Sequence, residues 1–425
     1  MPYCNRTKTV NFQGFRSIWL KGLIWLWILV ILFADLKVTV HPYIHWVMFA
    51  LLVFFILPFL FKMRFSIRFN FVIFNACLFL TSILLVGFIS INPIYEIEQV
   101  IKLTIILIGG WMLFSSSQFP LTTVLNAFKS AVYINVILLF CGAIISPVFA
   151  HEMAIGRWGT VLNYPGSLWR LGIAVFILSA YGYFISGFRN FHYGVLLLSS
   201  LLLIFFDGSR TGILIFIIGV LFLGLVLLLE KRIKLKKTVV LTVGTLLVIP
   251  IIVFPLNLLG IEGAGRFVSN INTIKNTQYS FERIDPARFK MLKTVINEIG
   301  EHPFVGKGIG STRTNTPVGP MVVHMTYLQV WADMGILGFV SYIGVAWGWI
   351  IWLPKIVRQI RGLSYCSERA VCYNAIYLLI VFGISGLFHP LSTEWSEWIL
   401  FLFPYSILIR LLNNRTDCKG VDTCV

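Results

Sequence analysis

About twelve stretches of roughly 20 mostly apolar residues run through this chain, and nothing else in it constrains the fold as strongly. In hydrocarbon every backbone N–H or C=O without a partner is costly, and a helix satisfies them all within one segment. Each stretch therefore reads as a membrane-crossing helix. They fall near 18–34, 43–61, 70–90, 99–115, 130–149, 168–186, 192–206, 212–229, 238–259, 328–353, 371–388 and 396–412, the fifth beginning anywhere from Leu121 to Tyr133. Composition agrees: 58% of the residues are hydrophobic and 12% charged, whereas a soluble domain carries about 25% charged residues. The expected fold is all-α, a polytopic bundle of transmembrane helices.

A net charge of +17 would suit a nucleic-acid partner, but the placement of the charges argues against one. Lys and Arg collect on every second connection: Arg6, Lys8, Arg16 and Lys21; Lys62, Arg64 and Arg68; Lys129; Arg189; Lys231, Arg232, Lys234, Lys236 and Lys237; Lys355, Arg358, Arg361 and Arg369; Arg410, Arg415 and Lys419. The short connections between them hold only Lys37, Lys102, Arg157, Arg170 and Arg210. The positive-inside rule then places both termini in the cytoplasm, as an even number of spans requires. Residues 1–34 resemble a secretory signal, but no small-residue cleavage site ends the apolar run, so a retained first helix is expected. The seven cysteines fall in spans or on the cytoplasmic side, where they serve as small apolar fillers.

One connection is long. The chain divides into helices over 1–259, a polar outer loop over 260–325, and the last helices with a cytoplasmic tail over 326–425. A loop of this length should carry structure of its own. Pro286 suits a first helical turn, Gly300 suits a stop, and Phe289, Leu292, Ile296 and Ile299 recur at helical spacing, which predicts an amphipathic helix at the membrane surface. Arg288, Lys290 and Lys293 flank its apolar face, within reach of phosphates on lipids or on a lipid-linked substrate. Gly306, Gly308 and Gly310 follow, a hinge towards His324. They do not read as a nucleotide loop, since no strand precedes them and no helix opens directly after.

Ionisable residues at the membrane are expensive, so each is a candidate for function. His324 stands where the long loop meets the tenth span; a histidine there can take a proton from a hydroxyl near neutral pH, or simply cap the helix start. Arg210 lies in Asp207-Gly-Ser-Arg-Thr-Gly, a turn between two apolar runs. It can grip a diphosphate with its planar fork, or pair with Asp207 as part of the turn. Arg288 is a second phosphate clamp or a solvated charge. The outer side shows no Asp-x-Asp and no His-x-x-x-His, and Glu394 and Glu397 beside His389 form a loose group at best, so neither a metal nor another cofactor is expected.

Ser209-Arg210-Thr211-Gly212, Arg288-Phe289 through His302-Pro303-Phe304-Val305-Gly306-Lys307-Gly308-Ile309-Gly310, and His324 with Tyr327-Leu328-Gln329 and Gly335-Ile336-Leu337-Gly338 together resemble the bacterial O-antigen ligase superfamily, which also holds O-antigen polymerases. The resemblance covers roughly residues 200–345 in motif detail and the whole chain in topology. It implies a multi-pass protein of the bacterial inner membrane that moves a glycan from undecaprenyl diphosphate to an acceptor at the periplasmic face. The acceptor is a lipid A core sugar in ligases and another lipid-linked glycan in polymerases. His324 would then be the general base, and Arg210 and Arg288 would bind the diphosphate leaving group. Direct displacement would invert the anomeric centre without a metal. Arg157 and Arg170, near Trp158 and Tyr164, become candidates for sugar or phosphate contact. The leading expectation is a ligase-type glycosyltransferase, with a polymerase of the same superfamily and a lipid-linked oligosaccharide flippase as rivals.

Overall fold

A computed structural model of the protein describes residues 12–60, 71–87, 93–116, 119–154, 157–232, 286–316 and 319–413. The ninth expected span, 238–259, and the first part of the long loop, 260–285, lie outside these residues. The elements are α1 (Phe12–Leu32), α2 (Leu36–Thr39), α3 (Ile44–Leu60), α4 (Phe71–Gly87), α5 (Pro93–Thr104), α6 (Gly110–Ser115), α7 (Leu121–Ile144), β1 (Ala150–Ala154), β2 (Arg157–Thr160), α8 (Leu168–Ile185), α9 (Phe191–Asp207), α10 (Arg210–Leu229), α11 (Pro286–Glu301), β3 (Arg313–Thr316), β4 (Gly319–Val322), α12 (Thr326–Trp347), α13 (Leu353–Arg361), α14 (Cys366–Ser385) and α15 (Trp395–Leu412). A π-helical turn, Ile105–Gly109, joins α5 to α6.

Among the described residues, seven helices are long and apolar enough to cross a membrane, and α1, α3, α4 and α9 contribute shorter apolar stretches. The fifth span begins at Leu121, the early end of its expected range. The helical expectation is met with an addition, since β1 pairs with β2 and β3 with β4 in two antiparallel hairpins.

The spans of α8 and α15 are 78% buried, against 44% for α7, so these two helices form the centre of the bundle. Hydrogen bonds between helices lock the centre. Asn374 of α14 donates Nδ2 to the Ala174 carbonyl and accepts from Leu178 N, and the Tyr377 hydroxyl donates to the Ile215 carbonyl. Outward faces carry bare apolar side chains such as Leu221, Leu225 and Ile351. That suits a bilayer and would be a liability in water.

The tenth span departs from the expected continuous helix. Gly335 adopts φ 70°, ψ −172° inside α12 and breaks it. A break in hydrocarbon strands backbone groups, and the segment before the break takes them up. Ile336 N donates to the Pro303 carbonyl at 3.0 Å, while the Ala332 and Asp333 carbonyls accept from Lys307 N and Gly308 N. A Cβ on Gly335 would lie 2.1 Å from the Phe304 carbonyl oxygen, so only glycine permits this contact. The glycine segment is thus a clamp closed on α12 rather than a hinge.

The amphipathic helix is present as α11, but its buried face is rotated from the expected one. Met291 and Val295 are buried against Val323 and Ala332, with Leu292 and Ile299 beside them, and Ile296 is exposed. The helix therefore rests on the β4–α12 junction. Lys290 donates to the Asn315 carbonyl, and Lys307 pairs with Glu298 and Glu301, which raises its pKa.

Candidate functional site

One end of the bundle gathers β1–β2, the α9–α10 turn, the start of α11, the β4–α12 junction and the connection from α14 to α15. The opposite end holds Glu230, just past α10, with the Tyr181 and Tyr373 hydroxyls and Arg369 upon it.

The α9–α10 turn is built on a buried carboxylate. Asp207 ends α9, and Ser209 caps α10 by accepting from Gly212 N. Arg210 is therefore the first residue of α10, and it is exposed. The alternative in which Asp207 pairs with Arg210 gives way to a more distant partner for Asp207. Arg157 donates Nη2 to Asp207 Oδ1 at 2.9 Å and Nε to its carbonyl at 3.1 Å. Oδ2 accepts from Gly166 N and Trp169 N. Asp207 faces away from its own turn towards the chain before α8, and so fixes the platform from which Arg210 projects. Gly212 allows the same closeness, because a Cβ there would meet Trp169 Cβ at 2.9 Å.

Arg170 is likewise matched, donating to Glu397 at 2.6 Å, and its guanidinium lies 5.6 Å from the Trp169 ring centre. Both Arg157 and Arg170 are thus engaged by carboxylates within the protein. Arg288 stands exposed in the first turn of α11. Neither α10 nor α11 carries an acid in its first turn, and each has an arginine there instead. Helix N-termini attract anions through their free amides and dipole, so each arginine adds to a field already favourable to phosphate.

His324 is half-buried between two pinned neighbours. Val323 is buried in the α11 cluster, and Thr326 donates both N and Oγ1 to the His389 carbonyl, at 2.9 and 2.6 Å. His324 Nδ1 lies 2.9 Å from the Val322 carbonyl. A carbonyl accepts only, so Nδ1 carries the proton in this contact, and Nε2 is the ring nitrogen left to face a substrate.

His389 joins these parts. Its ring stacks on Trp169 at 5.9 Å between centres. Burial holds its pKa at about 3, below the usual 6.5, and the charges of Arg170, His324, Arg288 and Arg157 push the same way. Four of the five expected site residues therefore act electrostatically on one imidazole, and Arg210 stands on the turn whose Asp207 is held by Arg157. From the sequence His389 stands out only beside Glu394 and Glu397. Its position between the last two spans, on the same side as His324, was the available signal.

A histidine with a depressed folded pKa contributes stability that is present above the unfolded pKa of about 6.5 and is lost as pH falls towards about 3. Between pH 7 and pH 5 the wild type should lose stability relative to His389→Gln, by at most ~1.4 kcal/mol per pH unit. Thermal unfolding midpoints of both proteins at the two pH values test this, and parallel losses would refute it.

A family model described as O-antigen ligase matches residues 194–343, a stretch that includes Arg210, Arg288 and His324 but not Arg157, Arg170 or His389. No curated protein matches the chain. With its apolar helices the chain is a multi-pass membrane protein, and its residues 194–343 match the O-antigen ligase family.

Proposed function

We propose that the protein is a ligase-type glycosyltransferase. It moves a glycan from undecaprenyl diphosphate to a hydroxyl of a lipid A core sugar, at the periplasmic face of the bacterial inner membrane. The observation that carries this reading is a juxtaposition: His324, with Nδ1 committed to the Val322 carbonyl, shares one end of the bundle with arginines that open two helices. A base and a cationic anion site are the two things that displacement of a diphosphate by a hydroxyl requires. His324 Nε2 takes the acceptor proton as the acceptor oxygen bonds to the anomeric carbon. The bond from that carbon to the phosphate oxygen breaks, its electrons leave with the diphosphate, and Arg210 and Arg288 neutralise the charge. Attack opposite the leaving group inverts the anomeric centre. Arg157 and Arg170 act indirectly, holding the α8 and α15 ends of the site through Asp207 and Glu397.

The distribution of buried charge favours this surface site over a transport path. Asp207, Glu368 and Arg410 lie near helix ends, and Asp333 lies at the break in α12.

Proteoliposomes supplied with lipid-linked glycan and lipid A core test the reaction. Glycan attached to the core is the expected product, whereas lengthening of the lipid-linked glycan alone would indicate a polymerase, and no transfer would overturn the reading. Arg210→Ala and Arg288→Ala should each lower kcat/KM about 10- to 100-fold, the scale of a lost charge-assisted hydrogen bond. Lysine should restore little, because it lacks the planar fork. Full rescue of both sites by lysine would argue against a bidentate grip.

A further inference from the structure

Between α8, α12, α14 and α15 lies a narrow cleft that opens to the surface. The inner wall is apolar, with Tyr342, Phe382 and Leu400, while Thr326, His389 and Ser392 stand with the Arg170–Glu397 pair along the rest. Two polar atoms of its lining, His389 Nε2 and Trp169 Nε1, are buried and lack a hydrogen-bond partner among the described residues. A buried polar atom without a partner is costly, and these two stand on stacked neighbours that line one cleft, where a bound group would supply the missing partner.

The chemistry of that partner follows from the surroundings. The arginine that lines the cleft, Arg170, is matched by Glu397, so the cleft wall itself offers no spare guanidinium for a phosphate. Burial keeps the His389 imidazole neutral, able to exchange a hydrogen bond with a hydroxyl. The indole N–H of Trp169 is a pure donor. A neutral group rich in hydroxyls answers both.

The segment carrying His389 is also tied to the residues that follow His324. Thr326 donates twice to the His389 carbonyl, and Leu391 N donates to Gln329 Oε1 at 2.7 Å. The two histidines are thus held in fixed relation. In a displacement the acceptor enters from the side of the base, opposite the diphosphate. We infer that His389 and Trp169 form a subsite that binds the hydroxyl-bearing edge of the acceptor sugar, beside the hydroxyl activated by His324. This rests on the transfer reaction proposed above.

Steady-state kinetics in proteoliposomes, with lipid A core as acceptor and lipid-linked glycan as donor, test it. His389→Leu should raise the acceptor KM about 5- to 20-fold, with the donor KM unchanged and kcat within about threefold. His389→Gln, which keeps hydrogen-bonding groups, should recover most of the loss, and this separates lost recognition from misfolding. Trp169→Phe should raise the acceptor KM as well. An unchanged acceptor KM in His389→Leu, as expected if only water meets these atoms, would overturn the subsite, as would an equal rise in both KM values. If His324→Ala is inactive while His389→Leu behaves as wild type, the transfer reading stands and the subsite falls. If the wild type transfers to no acceptor, the reading itself fails and takes the subsite with it.

Discussion

His324→Ala should lower kcat for glycan transfer about 10³-fold, within the range that a positioned general base supplies, while leaving the donor KM nearly unchanged. The split follows from the division of labour proposed for the site: donor affinity comes from arginines on α10 and α11, and proton removal from one ring nitrogen. That nitrogen is Nε2, because Nδ1 is taken by the Val322 carbonyl. The carbonyl is itself fixed, since Val322 pairs with Arg313 in the β3–β4 hairpin. His324→Gln should fail to restore activity, because an amide can fill the space and accept a hydrogen bond but cannot hold a proton. Initial rates with purified variants decide the matter, and a His324→Ala protein of wild-type activity would sink the mechanism.

The second large effect belongs to Asp333, a fully buried residue remote from the reacting groups in role. Its Oδ1 accepts from Ser311 Oγ, Thr312 N and Thr312 Oγ1, and its Oδ2 from Gly310 N and Gln329 Nε2. The glycine segment thus folds its amides around a carboxylate of the protein, the role a nucleotide phosphate plays in loops of similar composition. Asp333→Asn preserves shape but must aim an NH₂ group at donors on one side or the other. We expect a loss of about 2–4 kcal/mol, from at least one buried donor left unpaired within a shared network. The thermal midpoint should fall, and amides 306–312 should lose protection from hydrogen exchange. An unchanged midpoint would mean that the network relaxes freely. Because Gln329 also holds Leu391 N, transfer activity should decline along with stability.

What the sequence disclosed, and what it hid, divides along physical lines. Spans were legible because twenty apolar residues have one stable form in hydrocarbon. The break at Gly335 was not, since Asp-Met-Gly-Ile-Leu-Gly reads as unbroken apolar helix and the cause lies thirty residues upstream in the contact with Phe304. For α11 the periodicity revealed a helix but left its buried side open. Apolar residues at 289, 291, 292, 295, 296 and 299 cover more than one face, and the packing of Val323 selects Met291 and Val295. Arg210 and Arg288 were found by residue type and place. The partner of Asp207 was missed because a local pairing was the obvious one, while the observed partner, Arg157, lies fifty residues earlier. His389 was visible as a residue yet silent in role, because its stacking on Trp169 depends on how α8 meets the α14–α15 connection.

The break in α12 also constrains how the protein is made. Three backbone groups around Gly335 take partners in residues 303–308, so residues 326–347 reach their final form only once that segment is packed against them. Those residues are synthesised earlier and must already be on the side of the membrane where the break comes to rest. Loop delivery therefore precedes helix completion, so a mutation that delays the loop should be read out first by the membrane quality-control proteases, before any effect on sugar transfer can be measured.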